Sequence, residues 1–199
     1  MLDASTYWAS TYWEKRYAAG GNSGAGSYGA ENTFKFSYIK SIVEKYDVSS
    51  INDFGCGDGE QIKNLRTPYV DHEITYRGVD VSPTAVNKCK ERYKNVSSFS
   101  FYNDSSEMKA ADLSLSLDVL YHIVDEDVYH TYLDNLFSKS NKYVLIYAVD
   151  HDESGNNAHM HSRAFVDYVV EKYTCELIDT HPYPAKKGKG DVTFYLFKK

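Results

Sequence analysis

The segment Asp53-Phe54-Gly55-Cys56-Gly57-Asp58-Gly59 restricts the fold of this chain more than any other part of it. It follows a short strand-like run at 50–54 and precedes a stretch at 60–65 that reads as helix. Glycines at alternate positions let the backbone turn sharply and leave no Cβ between a ligand and the main chain. A glycine pattern alone is weak evidence, and the neighbouring strand strengthens it. Residues 76–81 read as a second strand whose tip carries Asp80, 23 residues after Gly57. A carboxylate at that place can accept both hydroxyls of a ribose, a common hold on an adenosine-containing cofactor.

The rest of the chain agrees with a parallel sheet covered by helices, because helix-like and strand-like segments alternate from about residue 34. Phe34, Tyr38, Ile42 and Tyr46 recur at helical spacing. Ser82-Pro83 reads as an N-cap followed by proline at the first helical position, opening a helix to about Tyr93. Strands are expected at 99–102 and at 112–117, the latter ending near Asp118, with a helix over 125–137. The run 142–149 (KYVLIYAV) is almost wholly apolar, as suits a central strand buried on both faces. Phe165, Val169 and Tyr173 mark one more helix, and 175–179 with 192–197 can form a closing pair of strands. Residues 18–30 (AAGGNSGAGSYGA) are too glycine-rich for a helix and read as a surface loop.

At 199 residues the chain suits one compact domain. Lys+Arg 22 against Asp+Glu 28 gives a net charge of −6, which argues against binding nucleic acid or an anionic membrane through bulk charge. Cys56, Cys89 and Cys175 are too few and too scattered for a disulfide framework, so a reducing, cytoplasmic setting is expected. No run approaches the ~20 apolar residues of a spanning helix, and MLDASTYW lacks the basic start and apolar stretch of a signal peptide. The lysines at 186, 187 and 189 read as a solvated hairpin turn. Nothing in the sequence sets the oligomeric state.

The details of these motifs resemble class I S-adenosylmethionine-dependent methyltransferases. The pattern is GxGxG after an acidic residue, and it is joined by Gly78-Val79-Asp80-Val81-Ser82, by Asp104 after the third strand, and by Asp118-Val119-Leu120-Tyr121-His122 after the fourth. The resemblance implies a three-layer Rossmann-like α/β fold, with a seven-stranded, mostly parallel sheet and an antiparallel C-terminal strand, over residues 34–199. It implies S-adenosylmethionine as cofactor and S-adenosylhomocysteine as product. The implied cofactor contacts are Asp53, Gly55, Gly57, Asp80, Val81 and Asp118, with Asp104 or Ser105 at the adenine. Tyr12-Trp13-Glu14-Lys15-Arg16-Tyr17 resembles a W-x-x-R-Y element of small-molecule methyltransferases, in which aromatic residues close over the sulfonium. A sulfonium cation is attracted to an aromatic face, so Trp13 and Tyr17 are cofactor candidates, although an ordinary amphipathic helix packing on the core reads equally well. Residues 1–33 would then form a cap or lid, with Tyr28 as its plug.

For the acceptor, His122 is the first candidate base, since it follows the fourth strand at the sheet edge where ligands bind. A hydrogen-bonded structural histidine is the alternative. His159, His161 and Arg163 fall at i, i+2 and i+4 and could point together into the site, Arg163 toward a phosphate or carboxylate and the histidines as further bases. Tyr121 stands beside His122 as a substrate contact. A divalent metal on Asp118, Asp150, His151, His159 and His161 is an open but lesser alternative. The resulting expectation is O-methylation of a small polar acceptor, a sugar, sugar-phosphate or related metabolite. The rivals are N-methylation, methylation of RNA or protein, and a non-catalytic cofactor-binding protein.

Overall fold

The computed structural model describes residues 4–65, 72–154, 160–184 and 192–199. The elements are α1 (Ala4–Ala18), α2 (Gly29–Lys45), β1 (Ser50–Phe54), β2 (Thr75–Val79), α3 (Pro83–Arg92), β3 (Phe99–Tyr102) and β4 (Ala111–Leu117). They continue as α4 (Glu126–Ser138), β5 (Ser140–Ala148), β6 (Glu153–Ser154), β7 (His161–Ser162), α5 (Val166–Tyr173), β8 (Glu176–Pro182) and β9 (Thr193–Lys198). Seven strands form one sheet in the order β3-β2-β1-β4-β5-β9-β8. The pairs from β3 to β5 are parallel, and β9 runs antiparallel between β5 and β8. This is the mixed Rossmann-like sheet that the alternating segments predict. Strand order reverses between β1 and β4, and the crevice beyond their carboxyl ends is where such sheets bind ligands.

The strand period of two divides the core into two layers. Leu113, Leu115 and Leu117 of β4 and Leu145 and Tyr147 of β5 pack toward Ile39, Ile42 and Val43 of α2. From the other face, Val144, Ile146 and Ala148 meet Leu133, Leu136 and Phe137 of α4 and Val169 of α5. The 142–149 run is thus buried on both sides. Ser82 caps α3, accepting from the Ala85 N–H at 3.1 Å, and Asp125 caps α4 through Val128 N–H at 3.0 Å. Each such cap contributes on the order of 1 kcal/mol.

Three local expectations change. The stretch 60–65 forms turns rather than a helix. Asn32 Nδ2 takes the Glu60 carbonyl at 3.3 Å, the acceptor that a continuing helix would offer to residue 64. The second change is at α2, which begins at Gly29 rather than near residue 34, so the boundary at 33/34 falls inside a helix. Finally, β6 and β7 make a short antiparallel hairpin in what reads as a polar loop.

Candidate active site

A cavity of about 1110 Å³ opens at the crevice between β1 and β4, roofed by α1 and the loop that follows it. β1 ends at Phe54, and the chain turns back at once with Gly55 at φ 87° and Gly57 at φ 56°. Side chains other than glycine rarely adopt such angles. A Cβ on Gly55 would lie 2.4 Å from Val119 Cγ2, and one on Gly57 would lie 2.3 Å from Ser23 Oγ. Glycine is therefore required at both positions by backbone angle and by neighbours. Asp80 ties this loop to α3: its Oδ2 accepts from Gly57 N–H at 2.9 Å and its Oδ1 from Ser82 N–H at 2.9 Å. Burial pushes the Asp80 carboxyl up to about 6, against the pull of those two N–H groups. Each of its oxygens keeps a lone pair, and Asp80 lines the cavity.

Beside Asp80, Val81 is 50% exposed, the one large hydrophobic residue so exposed among those described. It lines the cavity with Asp104 and Ser105. A carboxylate next to a bare aliphatic shelf fits a ribose joined to a flat base. The glycine loop and the Trp13 and Tyr17 rings on the cavity wall fit the remainder of S-adenosylmethionine. Asp104 gives one oxygen, Oδ1, to Ser106 N–H at 2.8 Å, which holds the carboxylate at the cavity rim.

The N-terminal segment is fastened at both ends of α1's inner half. Glu14 accepts from Ser82 Oγ at 2.6 Å and from Thr84 N–H and Oγ1 at 3.1 and 2.5 Å, and these bonds lower its carboxyl pKa. Lys88 of α3 donates to the Tyr17 and Gly21 carbonyls at 3.2 and 3.1 Å, satisfying acceptors at the end of α1. The loop is held by Asp58 of the glycine turn, which accepts from Ser23 Oγ at 2.8 Å and Tyr28 Oη at 2.7 Å. Tyr17 is buried, its hydroxyl 2.9 Å from Ser23 Oγ. Trp13 meets Tyr17 and stands edge-on to His122, with ring centroids 6.0 and 5.1 Å apart.

The far wall begins where β4 ends. Asp118 adopts φ 60°, a left-handed conformation that non-glycine residues seldom take. It is held there by an ion pair with Lys35 and by the Tyr121 hydroxyl, which donates to Oδ1 at 3.0 Å. Lys35 projects from α2 with 1% of its side chain exposed. Its Nζ also donates to the Gly26 carbonyl of the loop after α1 at 3.0 Å and to Gln61 Oε1 at 3.4 Å. Burial of Tyr121 beside the Asp118 carboxylate raises its phenol well above the usual value. His122 follows in a short 3-10 turn, its N–H bonded to Val119 O at 2.9 Å, and lines the cavity with Asp118 and Tyr121.

The structure gathers Trp13, Tyr17, Gly55, Gly57, Asp80, Val81, Asp104, Ser105, Asp118, Tyr121 and His122 around one cavity. Four other residues lie elsewhere. Asp53 points under the sheet, buried, with Oδ2 taking the Tyr76 hydroxyl at 2.6 Å, and burial lifts its carboxyl to about 7. Tyr28 is turned onto Asp58 and does not line the cavity. At β7, Met160 and Ser162 line the cavity, whereas His161 and Arg163 do not. Arg163 is engaged with the Ile123 and Val124 carbonyls at 2.8 and 3.0 Å and with Glu126 at 2.9 Å, which replaces the substrate contact expected of it by a structural one. His159 lies outside the described residues. Asp150 caps α5 by accepting from Phe165 and Val166 N–H, and among the described residues no metal-binding cluster forms.

Lys35, Glu14, Ser23 and Asp58 were not singled out from sequence. Lys35 had a readable signal, since it shares a helical face with the apolar Tyr38, Ile39 and Ile42.

Residues 52–136 match a family described as a methyltransferase domain. A search of curated proteins finds no match. Among solved structures, the chain is similar to the N-methyltransferase NodS from Bradyrhizobium japonicum WM9 in complex with S-adenosylhomocysteine, at 16% identity and TM-score 0.68, over 96% of this chain and 97% of that one. It is also similar to magnesium protoporphyrin IX methyltransferase (ChlM) from Synechocystis PCC 6803 with bound S-adenosylmethionine, at 15% identity and TM-score 0.69, over 100% and 98%. A third likeness is to the methyltransferase domain of bacterial CtHen1, at 18% identity and TM-score 0.66, over 84% and 99%. At these identities the likeness is one of fold. Over residues 52–136 the chain matches a methyltransferase domain, and its sheet order and overall fold are those of the methyltransferases it resembles in structure. Among the described residues, no helix is long and apolar enough to cross a membrane.

Proposed function

We propose that the chain is an S-adenosylmethionine-dependent methyltransferase that transfers the methyl group to a hydroxyl of a small polar acceptor, a sugar-like compound, and that His122 takes up the hydroxyl proton. The observation that carries the reading is the position of His122, on the cavity wall between the Trp13 ring and the Asp118–Tyr121 pair. When bound, S-adenosylmethionine supplies a methyl carbon activated by the positive sulfur. Asp80 and the glycine turn would orient the adenosine end, and Trp13 and Tyr17 would face the sulfonium. Alignment accounts for much of the rate in such a displacement, and an aliphatic hydroxyl also needs a base as it attacks. Residues 1–33 would act as the lid. The three thiols are buried and free, which suits a cytoplasmic setting.

The charge of the far wall narrows the acceptor. Glu31, Asp118 and Asp125 line the cavity there, and Lys35 offsets one of them. A phosphate would be repelled, so a neutral sugar is favoured over a sugar phosphate. The same carboxylates favour a second reading, N-methylation of an amine. Methyl transfer from labelled S-adenosylmethionine to simple glycosides, small amines and RNA separates these readings. Incorporation into glycosides, with kcat falling about 10²-fold or more in His122→Ala while cofactor affinity holds, is the expected result. Incorporation into amines or RNA alone would overturn it, and cofactor binding without any transfer would leave a non-catalytic binding protein.

A further inference from the structure

The cavity wall is mixed in character. Asp118, Tyr121 and His122 make part of it polar, while Val124, Val149, Met160 and Val192 give it an aliphatic part, with Asp125, His151 and Ser162 also in the lining. Val149, Val192, Met160 and Val124 all face the same space there, drawn from three separate stretches of chain plus the end of β9's approach. Val149 follows Ala148 and Val192 precedes Thr193, and Ala148 and Thr193 are register partners, so the two valines continue adjacent strands. Met160 comes from the start of β7. Arg163, just after β7, donates to the Ile123 and Val124 carbonyls at 2.8 and 3.0 Å while its guanidinium lies 4.3 Å from the Tyr129 ring centroid. One side chain therefore fixes the hairpin wall that bears Met160 against the wall that bears Val124.

Aliphatic side chains gathered from separate stretches of chain match an apolar portion of the ligand, with the polar groups of the same lining fixing its orientation. Methionine suits this duty because its unbranched side chain adapts to irregular shapes. Resting on the hydroxyl-acceptor reading above, we propose that the acceptor is a glycoside carrying an apolar ring or chain. Its sugar hydroxyl lies toward His122, and its apolar part lies against Val124, Val149, Met160 and Val192.

The test uses the full chain with S-adenosylhomocysteine present and pairs of methyl and 4-nitrophenyl glycosides of glucose, galactose and rhamnose. Binding is measured by calorimetry, and methyl transfer from labelled S-adenosylmethionine is measured in parallel. Removing roughly 60 Å² of aryl surface from water corresponds to about tenfold in affinity, so the aryl glycoside should bind at least that much tighter than its methyl counterpart. In Met160→Asp and Val192→Asp that advantage should shrink to about threefold or less, with affinity for S-adenosylhomocysteine unchanged as the check on folding. Equal binding of the paired glycosides, or an aryl advantage that survives both substitutions, overturns the inference. Failure of every glycoside to bind overturns it together with the sugar reading. Aryl-selective binding without methyl transfer upholds the inference and overturns the transfer reading alone.

Discussion

Replacing Lys35 by methionine keeps the packing of its aliphatic stem within α2 and deletes only the charged end. That end forms the ion pair with Asp118, donates to the Gly26 carbonyl and Gln61, and lies 4.7 Å from the Tyr147 ring centroid. Removing one partner of a buried pair costs about 3–5 kcal/mol, since the other charge is left without compensation. Asp118 keeps the Tyr121 hydroxyl and 20% side-chain exposure, which places the loss near the lower end, about 3 kcal/mol. For a chain of this length each kcal/mol shifts the melting temperature by about 2–4 °C, so Lys35→Met should melt roughly 6–12 °C lower. Calorimetric unfolding measures this directly. Adding Asp118→Asn should restore a substantial part, because a neutral amide needs no cation and asparagine tolerates the left-handed backbone at that position. A fall under about 2 °C, or losses that simply add in the double variant, would show that solvent screens the pair and that Lys35 does not hold this corner of the site.

Under the proposed function the ionised form of Asp80 accepts the ribose hydroxyls. Burial raises its carboxyl to about 6, so affinity for S-adenosylhomocysteine should weaken as pH falls through 6, by up to about tenfold per pH unit, whereas an ordinary aspartate would hold until about 4. Calorimetry from pH 5 to 8 reads the effect, and Asp80→Asn should bind weakly with no such slope. Gly57→Ala drives a methyl group into Ser23 Oγ at a positive φ and should weaken cofactor binding about 10–100-fold, which equilibrium binding would show. Glu14→Gln removes the charge that Ser82 and Thr84 hold, so trypsin should cut after Arg16 faster, and KM for the cofactor should rise about threefold to tenfold with little change in melting temperature.

The backbone plan was open to reading because it rests on local patterns. Ser82-Pro83 announces a capped helix, and the 142–149 run announces a two-face buried strand. The glycine turn carries its own reason in its φ angles. What escaped was decided by distant partners. Residues 60–65 have helical composition, yet they close into turns, with Lys63 N–H on the Glu60 carbonyl and Leu65 N–H on that of Ile62, while Asn32 of another helix also donates to Glu60. Asp53 looks like a ligand carboxylate in the motif, and strand alternation turns it beneath the sheet onto Tyr76. His161 sits in the short strand paired with β6 and Arg163 just beyond it, and neither lines the cavity. The partner of Lys35 escaped because Asp118 lies 83 positions on in the chain and only the fold brings the two together.

Asp58 binds two residues of the loop after α1, Ser23 and Tyr28, with one carboxylate of the glycine turn. Under the proposed function, moving that loop off the cofactor means breaking both bonds together, while Val124, Met160 and Val192 take no part in them. In kinetic terms the proposal then predicts ordered exchange: the methylated acceptor leaves first, and S-adenosylhomocysteine departs last, when the loop releases. Product inhibition should follow that order, with S-adenosylhomocysteine competing against S-adenosylmethionine but not against the acceptor. A faster chemical step would then do little for turnover, while a weaker grip on Asp58 would quicken it.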